Sequence, residues 1–134
     1  MKRELTNTFG KVFIEIDYDV QQKWLYSNWI GYQTYENVVA GANACIEYIK
    51  KFNCKCVLND NREVVGRWDH STEWIATDWT PRAVQAGLKY FAHVVAEETF
   101  AKMSAEQMHQ KVEGIFEMKV FSDAEKAKRW LTQC

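Results

Sequence analysis

"TYENVVAGANACIEYIKKFNCKCVL", Thr34 to Leu58, contains the change of pattern on which the fold turns. Val38, Ala42, Cys45, Ile49 and Phe52 recur at helical spacing and lay one continuous apolar stripe along a helix from Thr34 to about Phe52. Thr34 is placed to cap the N-terminus, and Lys50 and Lys51 suit the negative end of the dipole. Gly41 interrupts the helix at about 1 kcal/mol relative to Ala, which points to close packing against a strand. "CKCVL" barely alternates, so it reads as a short strand buried on both faces and ending near Leu58. A helix feeding a doubly buried strand argues for an α/β protein.

Upstream, "KVFIEID" places Val12, Ile14 and Ile16 on one face, and "QQKWLYSNWI" resumes as a second strand after a short polar turn. "RELTNTF" is a candidate edge strand. Downstream, a helix is expected from Ser71 to Trp79, with a restart at Thr80 as cap, Pro81 in the first turn and Gly87 as stop. "LKYFAHVVA" follows as a strand. "SAEQ" (Ser104 to Gln107) and "SDAE" (Ser122 to Glu125) read as capping boxes opening two more helices, with the strand "IFEMKVF" between them. The last helix turns Ala124, Ala127 and Leu131 inward. This order calls for one domain over 1–134: an N-terminal hairpin plus parallel strands in a mixed sheet, with helices mainly on one face.

The chain has 134 residues, 47% hydrophobic and 26% charged, with a formal charge of −1, as expected of a single globular domain. Interspersed charges leave no basic footprint for nucleic acid. No apolar run approaches the roughly 20 residues of a membrane span. "MKRELTNTFG" has no apolar stretch behind its charges, so a cytoplasmic location is expected. Cys45, Cys54, Cys56 and Cys134 lack the spacing of a metal site and read as reduced core thiols, so neither a metal nor a cofactor is expected.

Catalytic motifs are missing. His70, His93 and His109 accompany no nucleophile signature, and the six glycines are too scattered for a phosphate loop. His93, between Phe91 and Val95, is expected to be a buried imidazole with its hydrogen bonds satisfied. A non-enzyme is the reading. The most polar stretch, "VLNDNREVVGRWDHSTEW" from Val57 to Trp74, reads as a strand-to-helix connection. Asp60 would sit in a turn near Arg62, Arg62 and Arg67 can face an anion at a helix start, and Ser71 can serve as an N-cap. Trp74 and Trp79, five apart, cannot share one narrow stripe, so one of them is expected at the surface or in a groove.

Several short patterns resemble the STAS (SpoIIAA-like) superfamily, related in part to CRAL-TRIO lipid-transfer domains. They are "W-x-G-x-x-T-x-E" at Trp29 to Glu36, "L-x-D-x-R" at Leu58 to Arg62, "W-x-x-S-x-x-W" at Trp68 to Trp74, and "F-x-D-x-x-x-A-x-x-W-L" at Phe121 to Leu131. The resemblance implies a small stand-alone regulatory domain that binds a protein partner or itself. Asp60, Arg62, Arg67, Trp68, Trp74 and Trp79 are the candidate binding residues. It also implies a phosphorylated switch serine after the central strand. Asn59, Asp60 and Asn61 stand there instead, and the next hydroxyls are Ser71 and Thr72. The alternative is a carrier or sensor of a small apolar or anionic ligand, held near Trp68–Trp79 in a shallow groove lined by Trp74, Trp79 and Phe91.

Overall fold

A computed structural model describes residues 2–97 and 99–134. Six strands form one mixed sheet in the order β1-β2-β3-β4-β5-β6. They are β1 (Lys2–Thr6), β2 (Val12–Asp19), β3 (Trp24–Tyr32), β4 (Cys56–Val65), β5 (Tyr90–Val94) and β6 (Glu117–Phe121). The first three pair antiparallel and the last three add in parallel. The expected α/β class and mixed sheet are therefore present, and "RELTNTF" contributes the edge strand β1. Between β2 and β3, Asp19 closes the turn by accepting from the backbone N–H groups of Gln21 and Gln22.

Helix α1 (Tyr35–Phe52) begins with Thr34 accepting from the Asn37 N–H and ends at Asn53 in the left-handed conformation. Its apolar stripe lies on the sheet face that carries Ile14, Ile16, Leu25 and Val57. Gly41 is where it comes closest: a Cβ there would lie 2.5 Å from Cη2 of Trp29. Helix α4 (Phe100–Val112) covers the same face. Helix α5 (Ala124–Leu131) lies on the other, where Ala127 and Leu131 meet Trp24, Cys56, Leu58 and Ala92. The sheet thus has a core on each side, the larger under α1 and α4.

Local polar chemistry reassigned several boundaries. β4 does not end at Leu58 but runs to Val65, although Asn and Asp are poor strand formers. β3 pairs along its length and β5 pairs as far as Asp60, and the polar side chains find hydrogen bonds inside the protein. The expected break before Thr80 is also absent. A 3-10 turn (Asp69–Ser71), the single turn α2 (Thr72–Trp74), a π turn (Ile75–Trp79) and α3 (Thr80–Ala86) run on without interruption. The Thr80 N–H bonds to the Ile75 carbonyl five residues back, and Thr80 has helical backbone angles, so it is not a cap. Gly87 does stop the segment.

Of the two expected capping boxes, neither places its serine at the cap. Thr99 caps α4, accepting from Lys102 N, and Ser104 lies inside the helix, accepting from the Trp68 N–H at 3.0 Å. Asp123, not Ser122, caps α5. An acceptor nearer the helix start won in both cases.

The cysteine reading is corrected in part. Cys45 and Cys54 are free and buried. Cys134 instead returns to Cys56, sulfur to sulfur, with Cα atoms 6.4 Å apart, inside the disulfide range. Only the fold of α5 brings them together. Among the described residues no helix is long and apolar enough to cross a membrane, and no cluster of three metal-ligating side chains forms.

Candidate functional site

The larger core is not solid. Between the sheet and its helical cover lies a cavity offering about 50 Å³ to the centres of water-sized molecules, several times the roughly 10–15 Å³ that one water needs. β3 supplies Ser27 and Trp29, β4 supplies Val57, Asn59, Asn61 and Val64, and β5 supplies Phe91 and His93. Val38, Ala42 and Cys45 of α1, Trp68, Ile75, Trp79 and Met108 of α4 close it, with Gln33 at the end of β3. The walls are largely aromatic and aliphatic, and among the described residues no Asp, Glu, Lys or Arg lines them.

A buried polar network sits among them, centred on Asn59. Its Oδ1 accepts from Ser27 Oγ at 2.6 Å and from Trp29 Nε1 at 2.8 Å, and its Nδ2 lies 3.2 Å from His93 Nε2. Indole N–H can only donate, so the atom it meets must be the amide oxygen. The Asn59 Nδ2 then faces the imidazole, Nε2 must accept, and Nδ1 carries the proton. Burial pushes the His93 pKa down to about 3, the nearby Asp60 opposing only weakly, so the ring is neutral. It stacks on Trp68, with ring centroids 5.7 Å apart.

The network is incomplete. Five buried side-chain atoms among the described residues have no hydrogen-bond partner in the protein, and three belong to cavity residues: Gln33 Oε1, Trp68 Nε1 and His93 Nδ1. The expectation that His93 is fully satisfied is therefore corrected: one ring nitrogen is bonded and the other is not. Gln33 is fixed because its Nε2 donates to the carbonyls of Ile30 at 2.9 Å and Phe13 at 3.2 Å. Its oxygen is left over. Cys45 also lines the cavity, but burial raises its thiol to about 12 despite a hydrogen bond with Ser27, so it is no nucleophile.

The candidate residues read from the sequence divide between this cavity and other places. Trp68 and Trp79 are buried and line it. The π turn brings Ile75 and Trp79 inward, and Trp79 Nε1 donates to the Ala42 carbonyl at 2.7 Å. Trp74 is half-buried at the edge of the larger core, edge-on to Tyr35 and beneath Arg82, and does not line the cavity. The groove anticipated from Trp74, Trp79 and Phe91 is thus an interior space that includes the last two.

Asp60 and Arg62 lie on the opposite face of β4, in an open groove beside α5. Asp60 is buried and accepts from the Tyr26 hydroxyl at 2.8 Å and from Arg62 Nη2 at 2.7 Å. Burial works to raise its pKa, but the hydrogen bonds from Arg62 and Tyr26 outweigh burial and hold the carboxyl below its ordinary value. Arg67 pairs with Asp69 at 3.0 Å on the surface. Both guanidiniums are engaged by carboxylates, and neither reaches the cavity. Ser71 is fully buried and does not cap. His70 Nε2 donates to the Gln33 carbonyl, so its Nδ1 accepts from Ser71 Oγ at 2.8 Å. Thr72 is buried against Gln107.

Gln33, Asn59, Asn61 and His93 were not singled out as site residues from the sequence. The signal was present in β4, where Asn59 and Asn61 point into a side already expected to be buried, a polar pair in an apolar position. No protein-family model matches the chain, and no curated protein matches it in sequence.

Proposed function

We propose that this protein is a non-enzymatic binding domain of STAS type that carries or senses a small, uncharged, mostly apolar molecule in the cavity beneath α1 and α4. One observation carries the reading: Gln33, Trp68 and His93 line an apolar space, and each keeps one buried polar atom (Oε1, Nε1 and Nδ1) without a partner in the protein. Unpaired buried polar atoms cost about 1–3 kcal/mol each, and a few polar groups in an apolar pocket are how ligand sites fix orientation. Among the described residues the lining is uncharged, which disfavours an anionic ligand, since none of them offers a cation to offset the desolvation of its charge. The reading of Trp68 as an exposed anchor for a protein partner loses its basis, because that indole is only 5% exposed. The STAS assignment is supported by the mixed sheet with successive parallel strands.

Xenon, a single apolar atom small enough for a cavity of about 50 Å³, is a suitable first probe. Added to the protein, it should move the indole N–H resonances of Trp29, Trp68 and Trp79 and raise the urea midpoint. Ala42→Leu, which fills the cavity from α1, should abolish both responses. A wild-type protein that shows neither response would overturn the proposal.

A further inference from the structure

The smaller core lies on the sheet face away from the cavity, and α5 covers it. The residues that fill it come from β3, β4, β5, β6 and α5, and among the described residues none comes from α1 or α4. α5 has eight residues, fewer than the roughly 12–15 at which an isolated helix becomes even marginal in water. It therefore persists only while docked. Ala127 and Leu131 are its buried residues, and Trp130 packs half-buried against Tyr90 and Phe121, with ring centroids 5.8 Å from each. Just beyond the helix, the exposed Cys134 meets the fully buried Cys56 of β4. Cys45 and Cys54 belong to the larger core, on the other face of the sheet.

From this placement we infer that Cys56 and Cys134 are a reversible oxidation site that fastens α5. Linked, they hold the helix over the smaller core. Reduced, they let α5 open as a unit while α1 and α4 stay packed on the other face. A hydroperoxide serves as oxidant. The sulfur of Cys134, the exposed partner, takes one peroxide oxygen and becomes a sulfenic acid as the O–O bond breaks. The Cys56 sulfur then displaces that oxygen as water and the S–S bond forms, two thiols having lost two electrons in all. A dithiol reverses the step: its thiolate attacks the Cys134 sulfur, Cys56 leaves and takes a proton. The second sulfur of the dithiol then releases Cys134 as it closes its own disulfide.

The size of the effect follows from the chain length that the link closes. With β4 and β6 in place, Cys134 is tethered only 13 positions beyond Phe121, the end of β6. Loop entropy for a segment of that length favours the docked helix by about a hundredfold. The site is independent of the cavity and of what the cavity holds.

Hydrogen exchange followed by NMR on the full chain, after hydrogen peroxide or in dithiothreitol, tests the fastening. In the reduced protein the amides of residues 127–131 should exchange faster than those in the middle of α1, and oxidation should slow them about a hundredfold. Cys134→Ser should show the fast exchange under both conditions. Peptide mapping of the oxidised protein should find Cys56 joined to Cys134, with Cys45 and Cys54 as thiols. Amides of α5 as slow as those of α1 in the reduced protein would overturn the inference, because the helix would then open only with the whole fold. Exchange in α5 that oxidation leaves unchanged would show that the link does not hold the helix. Four free thiols after peroxide, or a redox response that survives in Cys134→Ser, would remove the site itself.

Discussion

Asn59→Leu tests the polar network most directly, because one amide serves three partners. The substitution removes the acceptor of Trp29 Nε1 and of Ser27 Oγ and the donor to His93 Nε2. Ser27 can turn to the Cys45 sulfur, with which it already interacts. Two buried groups are then stranded, the indole N–H and the imidazole nitrogen, at about 1–3 kcal/mol each. Burial of the leucine side chain returns about 1.5 kcal/mol, so the middle of that range gives a net loss of about 2.5 kcal/mol. Equilibrium urea unfolding with an unchanged m-value measures it. The same change at Asn61, which approaches Asn59 at a long 3.5 Å, should cost less than half as much. Combining Asn59→Leu with Trp29→Phe should cost less than the sum of the single changes, because one stranded donor is then gone. A loss below about 1 kcal/mol for Asn59→Leu would show that the network is not what holds Trp29 and His93 in place.

Gly41→Ala should destabilise the protein by about 1–2 kcal/mol despite its better helix propensity, because the new methyl meets Trp29 Cη2 at 2.5 Å. A rise in the thermal midpoint would refute the close approach. His93 has a folded pKa near 3, below its unfolded value of about 6.5, so only the unfolded chain takes up this proton between those pH values. Stability from this group is full above pH ~6.5 and falls by up to about 1.4 kcal/mol per unit on acidification through that window. His93→Phe should flatten this slope in unfolding curves between pH 7 and 4.5, and an unaltered slope would mean that the imidazole is not held neutral. The Cys56–Cys134 link spans 78 residues, for which loop entropy gives about 4.5 kcal/mol. Cys134→Ala should therefore lower stability without reductant and match wild type with it, and a unreduced wild-type mass lacking the loss of two hydrogens would show that no link forms.

The helix at Thr34–Phe52, the buried strand after it and the alternation of apolar and helical segments were legible because local periodicity and short-range capping specify them. α/β class and the parallel half of the sheet follow from that alternation. At α4 and α5 the expected caps Ser104 and Ser122 gave way to Thr99 and Asp123, which stand immediately before the first helical residue. The continuation of β4 through Asn59, Asp60 and Asn61 contradicts local propensity, and only pairing with β3 and β5 stabilises it. The cavity is further still from local pattern. It exists because Gln33, Asn59, His93 and Trp68, far apart in the chain, reach one space from a strand end, two strands and the start of a helical segment. Even the tautomer of His93 is set by an indole 64 positions earlier in the chain, through Asn59. Hydrophobic period is a property of neighbours in sequence and fixes the elements. Hydrogen-bond complementarity in a buried space depends on neighbours in three dimensions, and that is what the tertiary structure decided.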